Sequence, residues 1–441
     1  MLFLSVKRLE AVHDPVDGVE LRLDLFERVD IEAISDFLLH STIPVLLTAR
    51  TITEEVIERL LELKPAFFDL EYDRNPEFLQ RVIKKYPQTK FILSYHNFQE
   101  TPSDLEALYR SMKKRAAHSY KIAAMVHSTN DALKMLLFAK SHIDLSVICM
   151  GEKGKFARAL GPVVGNQIVY AALNAQEQTA PGQLSVSELM ESYHYSSLNE
   201  KTAIYGLIGD PIDKSLGYLY HNRVFRERGV NAVYVKMCVK PEELAEFIPL
   251  AKRLGIAGLS VTMPLKEKIL FFLDEIQPTM KQIGAINTLL FKNGKIRGAN
   301  YDGEGALDAL EQKSLVRGKK VVLLGAGGAA RAIAFEAKRR GAHVLILNRT
   351  VQRAKELAAE IGCAAGALDE LPGEYDILIN CTPNVMPIEP QAIRPKTVVM
   401  DIINSQTAFL KAASLKECVL VYGKEMFLKQ AAKQTAFWIE R

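Results

Sequence analysis

Apolar positions recur in two alternating rhythms along the first half of the chain. Short apolar runs read as strands: LFLSV (2–6), VELRLDL (19–25), PVLLTA (44–49), AFFDLEY (66–72), KFILSYH (90–96), YKIAAMV (120–126), DLSVICM (144–150) and VGNQIVYAAL (164–173). Segments with helical period separate most of them, among them ITEEVIERLLEL, NPEFLQRVIKKY, PSDLEALYRSMKKRA and STNDALKMLLFAK. Strands alternating with helices in this way predict an α/β fold, a (β/α)8 TIM barrel with its functional groups at the C-terminal strand ends. The link between the first two runs is short and interrupted by His13-Asp14-Pro15, so the first helix is expected to be reduced to a turn or absent.

The rhythm breaks at YHYSSLNEKT (193–202), which is polar and weakly patterned. It restarts with IYGLIGD, NAVYVKMCV and IAGLSVTMP, followed by KKVVLLGAGGAARAIAFEAKRRGAHVLILNRT. That last stretch is strand, glycine turn, helix, strand, the unit of a doubly wound nucleotide-binding sheet. The chain is therefore expected to hold a barrel over 1–195, an α/β lobe over 203–303 joined by a C-terminal helix over 424–441, and a Rossmann lobe over 304–423.

Composition narrows the partners. With 441 residues, 48% of them hydrophobic and 24% charged, the chain has room for about three ordinary domains. A net charge of +4 gives no reason to expect nucleic acid or an anionic membrane. No run approaches the roughly 20 apolar residues of a membrane span, and MLFLSVKRLEAVHD lacks the features of a signal peptide. The five cysteines are far apart and form no CxxC pair, which predicts reduced thiols, a cytoplasmic location and no metal site. A monomer is the expected assembly.

Two places carry candidate chemistry. Lys121 stands inside the apolar run YKIAAMV. It is either a strand-end lysine reaching solvent or a desolvated amine able to form a Schiff base with a ketone. His96 ends the preceding strand. Glu20, Arg22 and Asp24 alternate with Val19, Leu21, Leu23 and Leu25, so in a barrel the charges enter the lumen. Arg50 ends the third strand with Glu54 four residues on; Arg158 follows in MGEKGKFAR and Gln183 in TAPGQ. In the other half, GAGGAARA fits GxGxxA, with Gly325, Gly327 and Ala330 in the roles of turn, phosphate approach and helix packing. The second strand ends in Asn348, Arg349 and Thr350, with Arg353 a turn later, rather than in an acidic residue. A cation there suits a 2′-phosphate, which favours NADP over NAD.

The segments ELRLD, TAR, SYHNF, YKIA, MGEKGKFAR and TAPGQ resemble type I 3-dehydroquinate dehydratase in order and spacing. The resemblance implies that Lys121 forms the Schiff base, that His96 is the general acid and base, and that Glu54, or its neighbour Glu55, orients it. Glu20, Arg22, Arg50, Arg158, Thr179 and Gln183 would then hold the substrate. GDPIDKSLGYLYHN, GLSVTMPLK, GAINT, NYDGEGA, NCTPNVM and YGKEMFLKQA are similar to shikimate dehydrogenase. This implies a catalytic Lys266–Asp302 pair and substrate binding by Ser215, Thr262, Asn287 and Gln430. Gly325, Ala326, Gly327, Gly328, Ala329, Asn348, Arg349, Thr350, Arg353, Thr382, Met386 and Gly423 would contact NADPH. Gly217 stands where the family has a second serine, and Tyr301 where it has threonine. The expected activity is dehydration of 3-dehydroquinate to 3-dehydroshikimate and its NADPH-dependent reduction to shikimate. Two alternatives are a non-catalytic metabolite-binding regulator on the same folds and a second half shifted toward quinate.

Overall fold

The computed structural model describes residues 1–10, 12 and 15–439. By compactness the chain divides into one unit of Met1–Gly206 with Tyr218–Ile256 and another of Leu207–Gly217 with Ala257–Arg441.

The first unit is built on eight strands: β1 (Leu2–Val6), β2 (Gly18–Arg22), β3 (Val45–Thr48), β4 (Phe67–Glu71), β5 (Lys90–Asn97), β6 (Ser119–Met125), β7 (Leu145–Met150) and β8 (Val169–Ala172). Helices α1 (Ile31–His40), α2 (Glu54–Glu62), α3 (Pro76–Lys85), α4 (Leu105–Met112), α5 (Thr129–Lys140) and α6 (Lys155–Ala159) lie between them. The ladder runs β7-β6-β5-β4-β3-β2-β1-β8, with every neighbouring pair parallel.

Between the end strands β7 and β8, side chains take the place of a ladder. Asn166 accepts from Val147 N at 3.1 Å and donates to Val147 O at 2.9 Å. Ser146 Oγ accepts from the backbone N–H of Gln167 and Ile168 at 3.0 and 3.3 Å.

Period-2 alternation fills the lumen in layers. Phe3, Leu46, Phe67, Ile92 and Ile148 form an apolar floor. Two residues further along four of these strands stand the buried polar side chains Ser5, Thr48, Asp69 and Ser94. The next inward positions on β4 and β5 are Glu71 and His96, at the C-terminal rim where barrel enzymes do their chemistry.

Two expectations are corrected. The strand expected over 19–25 ends at Arg22, because Leu23–Leu25 turn into a 3-10 helix. The strand expected over 164–173 begins at Val169, because Pro162 and a left-handed Gly165 (φ +83°) shape a 3-10 turn over Gly161–Val164. Past β8 the outer layer is a π turn at Glu188–Ser192 and a 3-10 turn at Tyr195–Ser197. Between β1 and β2 the described residues form bends and no helix; His13 and Asp14 lie outside the described residues.

The chain continues through β9 (Ala203–Gly209), α7 (Gly217–Glu227), β10 (Ala232–Cys238), α8 (Leu244–Leu254), β11 (Ile256–Val261), α9 (Pro278–Ile283), β12 (Thr288–Lys292), β13 (Lys295–Ala299) and α10 (Asp302–Leu310). The second sheet has the order β10-β9-β11-β12-β13, with β12 antiparallel to both neighbours. Within the first unit, α8 covers the outer side of α5. Asn130 donates to Glu243 O and to Glu246, and Lys134 pairs with Glu246 at 2.7 Å. This explains why α5 is buried on more than one side, including at Thr129 and Asn130.

The third sheet comprises β14 (Lys320–Leu324), β15 (His343–Leu347), β16 (Ala364–Gly366), β17 (Ile377–Asn380), β18 (Val398–Asp401) and β19 (Val419–Val421). Its helices are α11 (Gly328–Arg339), α12 (Val351–Ile361), α13 (Ala408–Ser414) and α14 (Gly423–Ile439). Its order, β16-β15-β14-β17-β18-β19, is all parallel and reverses direction between β14 and β17, the switch point where such sheets bind dinucleotides. Among the described residues no helix is long and apolar enough to cross a membrane.

Because Asn166 alone satisfies both backbone groups of Val147, Asn166→Ala is expected to destabilise the barrel by about 1–3 kcal/mol. A urea midpoint equal to the wild type would show that the seam contributes nothing to stability.

Candidate active sites

The barrel mouth forms a pocket that Glu20, Arg22, Arg50, His96, Lys121, Arg158, Thr179 and Gln183 all line. Lys121 sits inside β6 with its side chain 3% exposed, so it does not reach solvent. Its Nζ is ion-paired with Asp69, whose other oxygen accepts from Ser94 Oγ at 2.5 Å. The ring of Tyr170 lies 5.0 Å from Nζ. Burial, followed by the charges of Asp69 and Glu20, pushes the Tyr170 hydroxyl well above its usual range, which keeps it a proton donor.

The remaining charges are held by neighbours that leave selected atoms facing the cavity. Glu20 accepts from Ser5 and from Thr48, the latter at 2.7 Å. Arg22 forks onto Asp24 at 2.9 and 2.7 Å and donates to Thr179 O at 2.9 Å. Gln183 accepts from Thr179 N and Oγ1 at 2.9 and 3.1 Å. Arg158 is buried, which pulls its guanidinium down to about 10; it donates to Pro181 O at 3.0 Å, while Nε has no hydrogen-bond partner. A buried cation so incompletely satisfied is suited to an anionic ligand.

Glu71 Oε1 lies 2.6 Å from Nδ1 of His96 and 3.5 Å from Nε of Arg50. Glu71 is thus the carboxylate in contact with His96, and no contact of the expected Glu54 with His96 is among the described interactions. Glu54 heads α2 with Arg74 as its charged neighbour, and Glu55 beside it is exposed. Glu71 ends β4, the strand hydrogen-bonded to β5 and so to His96.

In the second unit Lys266 Nζ is 2.5 Å from Asp302 Oδ2, and Asn287 Nδ2 donates to Oδ1 at 2.9 Å. Asp302 is the first residue of α10, with its N–H donated to Asn300 Oδ1 at 2.9 Å. Asn287 is fixed in turn: its Oδ1 accepts from Thr288 Oγ1 and Tyr301 N, and its carbonyl from Gln434 Nε2. Thr262 follows β11, packed against the space left by Gly209; Ser215 Oγ accepts from Gly217 N at 3.3 Å ahead of α7. Gln430 lies on α14 against Gly305 of α10. No contact joins Ser215, Thr262 or Gln430 directly to the Lys266–Asp302 pair among the described interactions.

The glycine turn follows β14 and opens α11. Gly325 takes φ +115° and has Thr382 beside it across the switch point. At Gly327 an added Cβ would meet nothing within 4 Å, so the backbone there is open to an approaching phosphate at a helix N-terminus. Ala326 packs on the lobe's core, and Ala329 lies in the first turn of α11. Asn348 Nδ2 donates to Thr350 O at 2.9 Å, shaping the turn after β15, with Arg349 and Arg353 exposed. Met386 packs beside the core of this sheet, and Gly423 starts α14 against the backbone of Ile402 and Ile403.

Both halves have relatives. Residues 5–200 match the type I 3-dehydroquinase family, 207–289 the shikimate dehydrogenase substrate binding domain, and 308–410 the shikimate/quinate 5-dehydrogenase family. The shikimate biosynthesis protein AroDE of Chlamydia pneumoniae is 37% identical over 96% of this chain and 90% of that protein. The bifunctional 3-dehydroquinate dehydratase/shikimate dehydrogenase of Arabidopsis thaliana is 32% identical over 95% of this chain and 77% of its own. The chain belongs to this bifunctional dehydratase–dehydrogenase family. Among solved structures, shikimate 5-dehydrogenase from Thermus thermophilus, in complex with NADP(H) and shikimate, matches with TM-score 0.52 and 30% identity, over 54% of this chain and 94% of that one. Shikimate dehydrogenase from Aquifex aeolicus matches with TM-score 0.53 and 34% identity, over 55% of this chain and 95% of that one.

Three barrel residues stand out that the motifs alone did not single out: Asp69, Glu71 and Tyr170. The first two had a readable signal, since FDLE repeats the polar–apolar alternation of ELRLD. In the dehydrogenase half Gly328, expected only as a cofactor contact, also lies against Lys266. A Cβ there would stand 3.2 Å from Cβ and 3.4 Å from Cδ of Lys266. Gly328→Ala is therefore expected to displace Lys266 and lower kcat for shikimate oxidation by about tenfold to a hundredfold. An unchanged kcat would mean that the lysine relaxes without cost.

Proposed function

We propose that the two sites act in sequence, the barrel over 1–195 converting 3-dehydroquinate to 3-dehydroshikimate and the lobes over 203–441 reducing that product to shikimate with NADPH. The observation that carries the reading is a buried lysine and a histidine lining one pocket at the barrel mouth, in a chain that also holds the Lys266–Asp302 ion pair.

In the barrel, Lys121 condenses with the substrate's C3 ketone once its ammonium has yielded a proton, for which Asp69 is the adjacent carboxylate. The iminium acidifies the C2 proton. His96, neutral because burial and the charges of Lys121, Arg50 and Arg22 hold its pKa well below the usual value, removes that proton. The C1 hydroxyl leaves with a proton returned by His96, and hydrolysis frees Lys121. Arg158 and Arg50 supply cations for the substrate carboxylate, and Glu20 and Gln183 bind its hydroxyls.

In the second site, Lys266 and Asp302 hold and move the proton at the reacting oxygen, while Asn287 keeps Asp302 oriented. The residues present fit NADPH: an open backbone at Gly327, the N-terminus of α11, and Arg349 and Arg353 beside the turn after β15. When bound, that cofactor supplies the hydride. Ser215 and Thr262 are assigned to substrate binding.

The full chain given 3-dehydroquinate and NADPH is expected to consume the reduced cofactor, followed by loss of its absorbance. Lys121→Ala should abolish that signal and leave reduction of added 3-dehydroshikimate intact. Cofactor oxidation from dehydroquinate at the wild-type rate in Lys121→Ala would remove the Schiff-base assignment.

Arg349→Ser is expected to lower kcat/KM for NADP by about 10- to 100-fold, the worth of one charge-assisted hydrogen bond, with little change for NAD. Equal losses with both cofactors would place Arg349 away from the 2′-phosphate.

A further inference from the structure

We propose that Lys153 and Cys238 form a modification site for hydroperoxides, in which oxidation of the thiol ends in a covalent bond between Cys238 Sγ and Lys153 Nζ. Both residues belong to the first unit. Lys153 lies in the 3-10 turn Glu152–Gly154 that follows β7, and Cys238 is the last residue of β10. The Lys153 ammonium donates to Cys238 Sγ at 2.6 Å, and both residues are partly exposed, within reach of a small oxidant. Thr129 Oγ1, at the start of α5, donates to the carbonyl of the same cysteine at 2.5 Å, which fixes the end of β10 against the barrel. A cation in contact with sulfur favours the thiolate, the form that attacks peroxides. The other cysteines are placed differently. Cys149 and Cys381 are buried, and burial pushes both thiols up, Cys149 to about 12. Burial also raises the Cys363 thiol, whose neighbour Lys338 is committed to the carbonyls of Ile361 and Gly362. Cys418 lies beside Thr397 and the carbonyls of Arg394 and Lys416.

A hydroperoxide is the only co-reactant the step needs. The Cys238 thiolate attacks the terminal peroxide oxygen: an S–O bond forms, the O–O bond breaks, and the leaving oxygen takes a proton from the Lys153 ammonium. Sulfur is oxidised by two electrons and the peroxide reduced by two, which leaves a sulfenic acid facing a neutral amine. The amine lone pair then attacks the sulfenyl sulfur: an S–N bond forms, the S–O bond breaks, and hydroxide leaves as water with the proton lost by nitrogen. An added thiol reverses the bond, returning the amine to Lys153 and forming a mixed disulfide that a second thiol reduces.

The turn that carries Lys153 backs the dehydratase pocket. Gly151 N donates to Pro181 O at 3.2 Å, and a Cβ on Gly182 would lie 2.5 Å from Gly151 O, so two turns meet backbone to backbone. Arg158, on the helix directly after the Lys153 turn, donates to the same Pro181 carbonyl at 3.0 Å. Thr179 and Gln183, on either side of Pro181, line the pocket with Arg158. Drawing Nζ from contact to bonding distance of sulfur therefore pulls on the turn against which these three residues are set. The S–N bond stands apart from the dehydratase reading of the barrel, whereas its effect on turnover rests on that reading.

The test treats the full chain with a small excess of hydrogen peroxide, alkylates the remaining thiols and weighs the peptides. The expected product joins the Lys153 and Cys238 peptides at the sum of their reduced masses less two hydrogens. It should form before any other cysteine is oxidised and disappear with dithiothreitol. K153R keeps the cation without the nucleophilic amine, so its Cys238 should react at the wild-type rate and stop at a sulfenic acid that dimedone traps. K153M should slow oxidation of Cys238 by about tenfold. The linked protein should lose about tenfold in dehydratase kcat/KM, whereas C238S should keep the untreated wild-type value before and after peroxide. Two results in the wild-type protein alone overturn the proposal: Cys238 oxidised no faster than the other cysteines, or oxidised with no bond to Lys153. Linked protein with unchanged kcat/KM overturns the coupling to the pocket. Wild-type protein with no dehydratase turnover would remove the reading of the barrel, while the peptide masses would still decide the S–N bond.

Discussion

A closed parallel barrel sends every second side chain of each strand into one lumen, and in this chain the lumen receives Glu20, Arg22, Asp69 and Lys121 as buried charges. Ions removed from water are tolerated only when each meets an opposite charge or a set of hydrogen bonds. The rest of the site follows from that constraint. Asp69 is claimed by Lys121 and Ser94, Glu20 by Ser5 and Thr48, and Arg22 by Asp24. What is left incompletely matched is functionally informative: Arg158 Nε, Arg50 Nε and both ring nitrogens of His96 are buried without hydrogen-bond partners, with Glu71 near Arg50 Nε and His96 Nδ1. Two cations with hydrogen-bonding capacity to spare at the mouth suit an anionic ligand.

The dehydrogenase half solves a related problem with a different architecture. Asp302 is almost fully buried at the first turn of α10, where a helix N-terminus favours its negative charge. Lys266 and Asn287 claim one oxygen each. The glycines that let α11 approach do double service. Gly327 leaves the backbone open for phosphate, and Gly328 leaves room for the Lys266 side chain. Cofactor loop and proton-handling pair are thus built against each other, which ties cofactor position to the position of the lysine.

Much of this was legible in the residues, and the gaps have physical causes. The alternation in ELRLD placed Glu20 and Arg22 in the lumen because a strand's period is strict; it failed at Asp24 because the strand ends two residues earlier, at Arg22, and a 3-10 turn follows. The strand-helix rhythm gave the barrel and the nucleotide-binding sheet. The bifunctional character rests on the family relation, which spans nearly the whole chain. Glu71 was passed over because AFFDLEY reads first as an apolar run, and its importance depends on which strand lies beside His96. The seam formed by Asn166 and Ser146 joins β7 to the segment leading into β8, and no local pattern announces a side chain that stands in for a strand.

The central claim is that the buried amine of Lys121 becomes covalently joined to the substrate ketone. Incubating the full chain with 3-dehydroquinate and borohydride, followed by peptide mass analysis, tests it directly. A reduced adduct is expected on the peptide that carries Lys121, formed only when substrate is present. Complete turnover of dehydroquinate with no adduct there, or an adduct on another lysine alone, would contradict it.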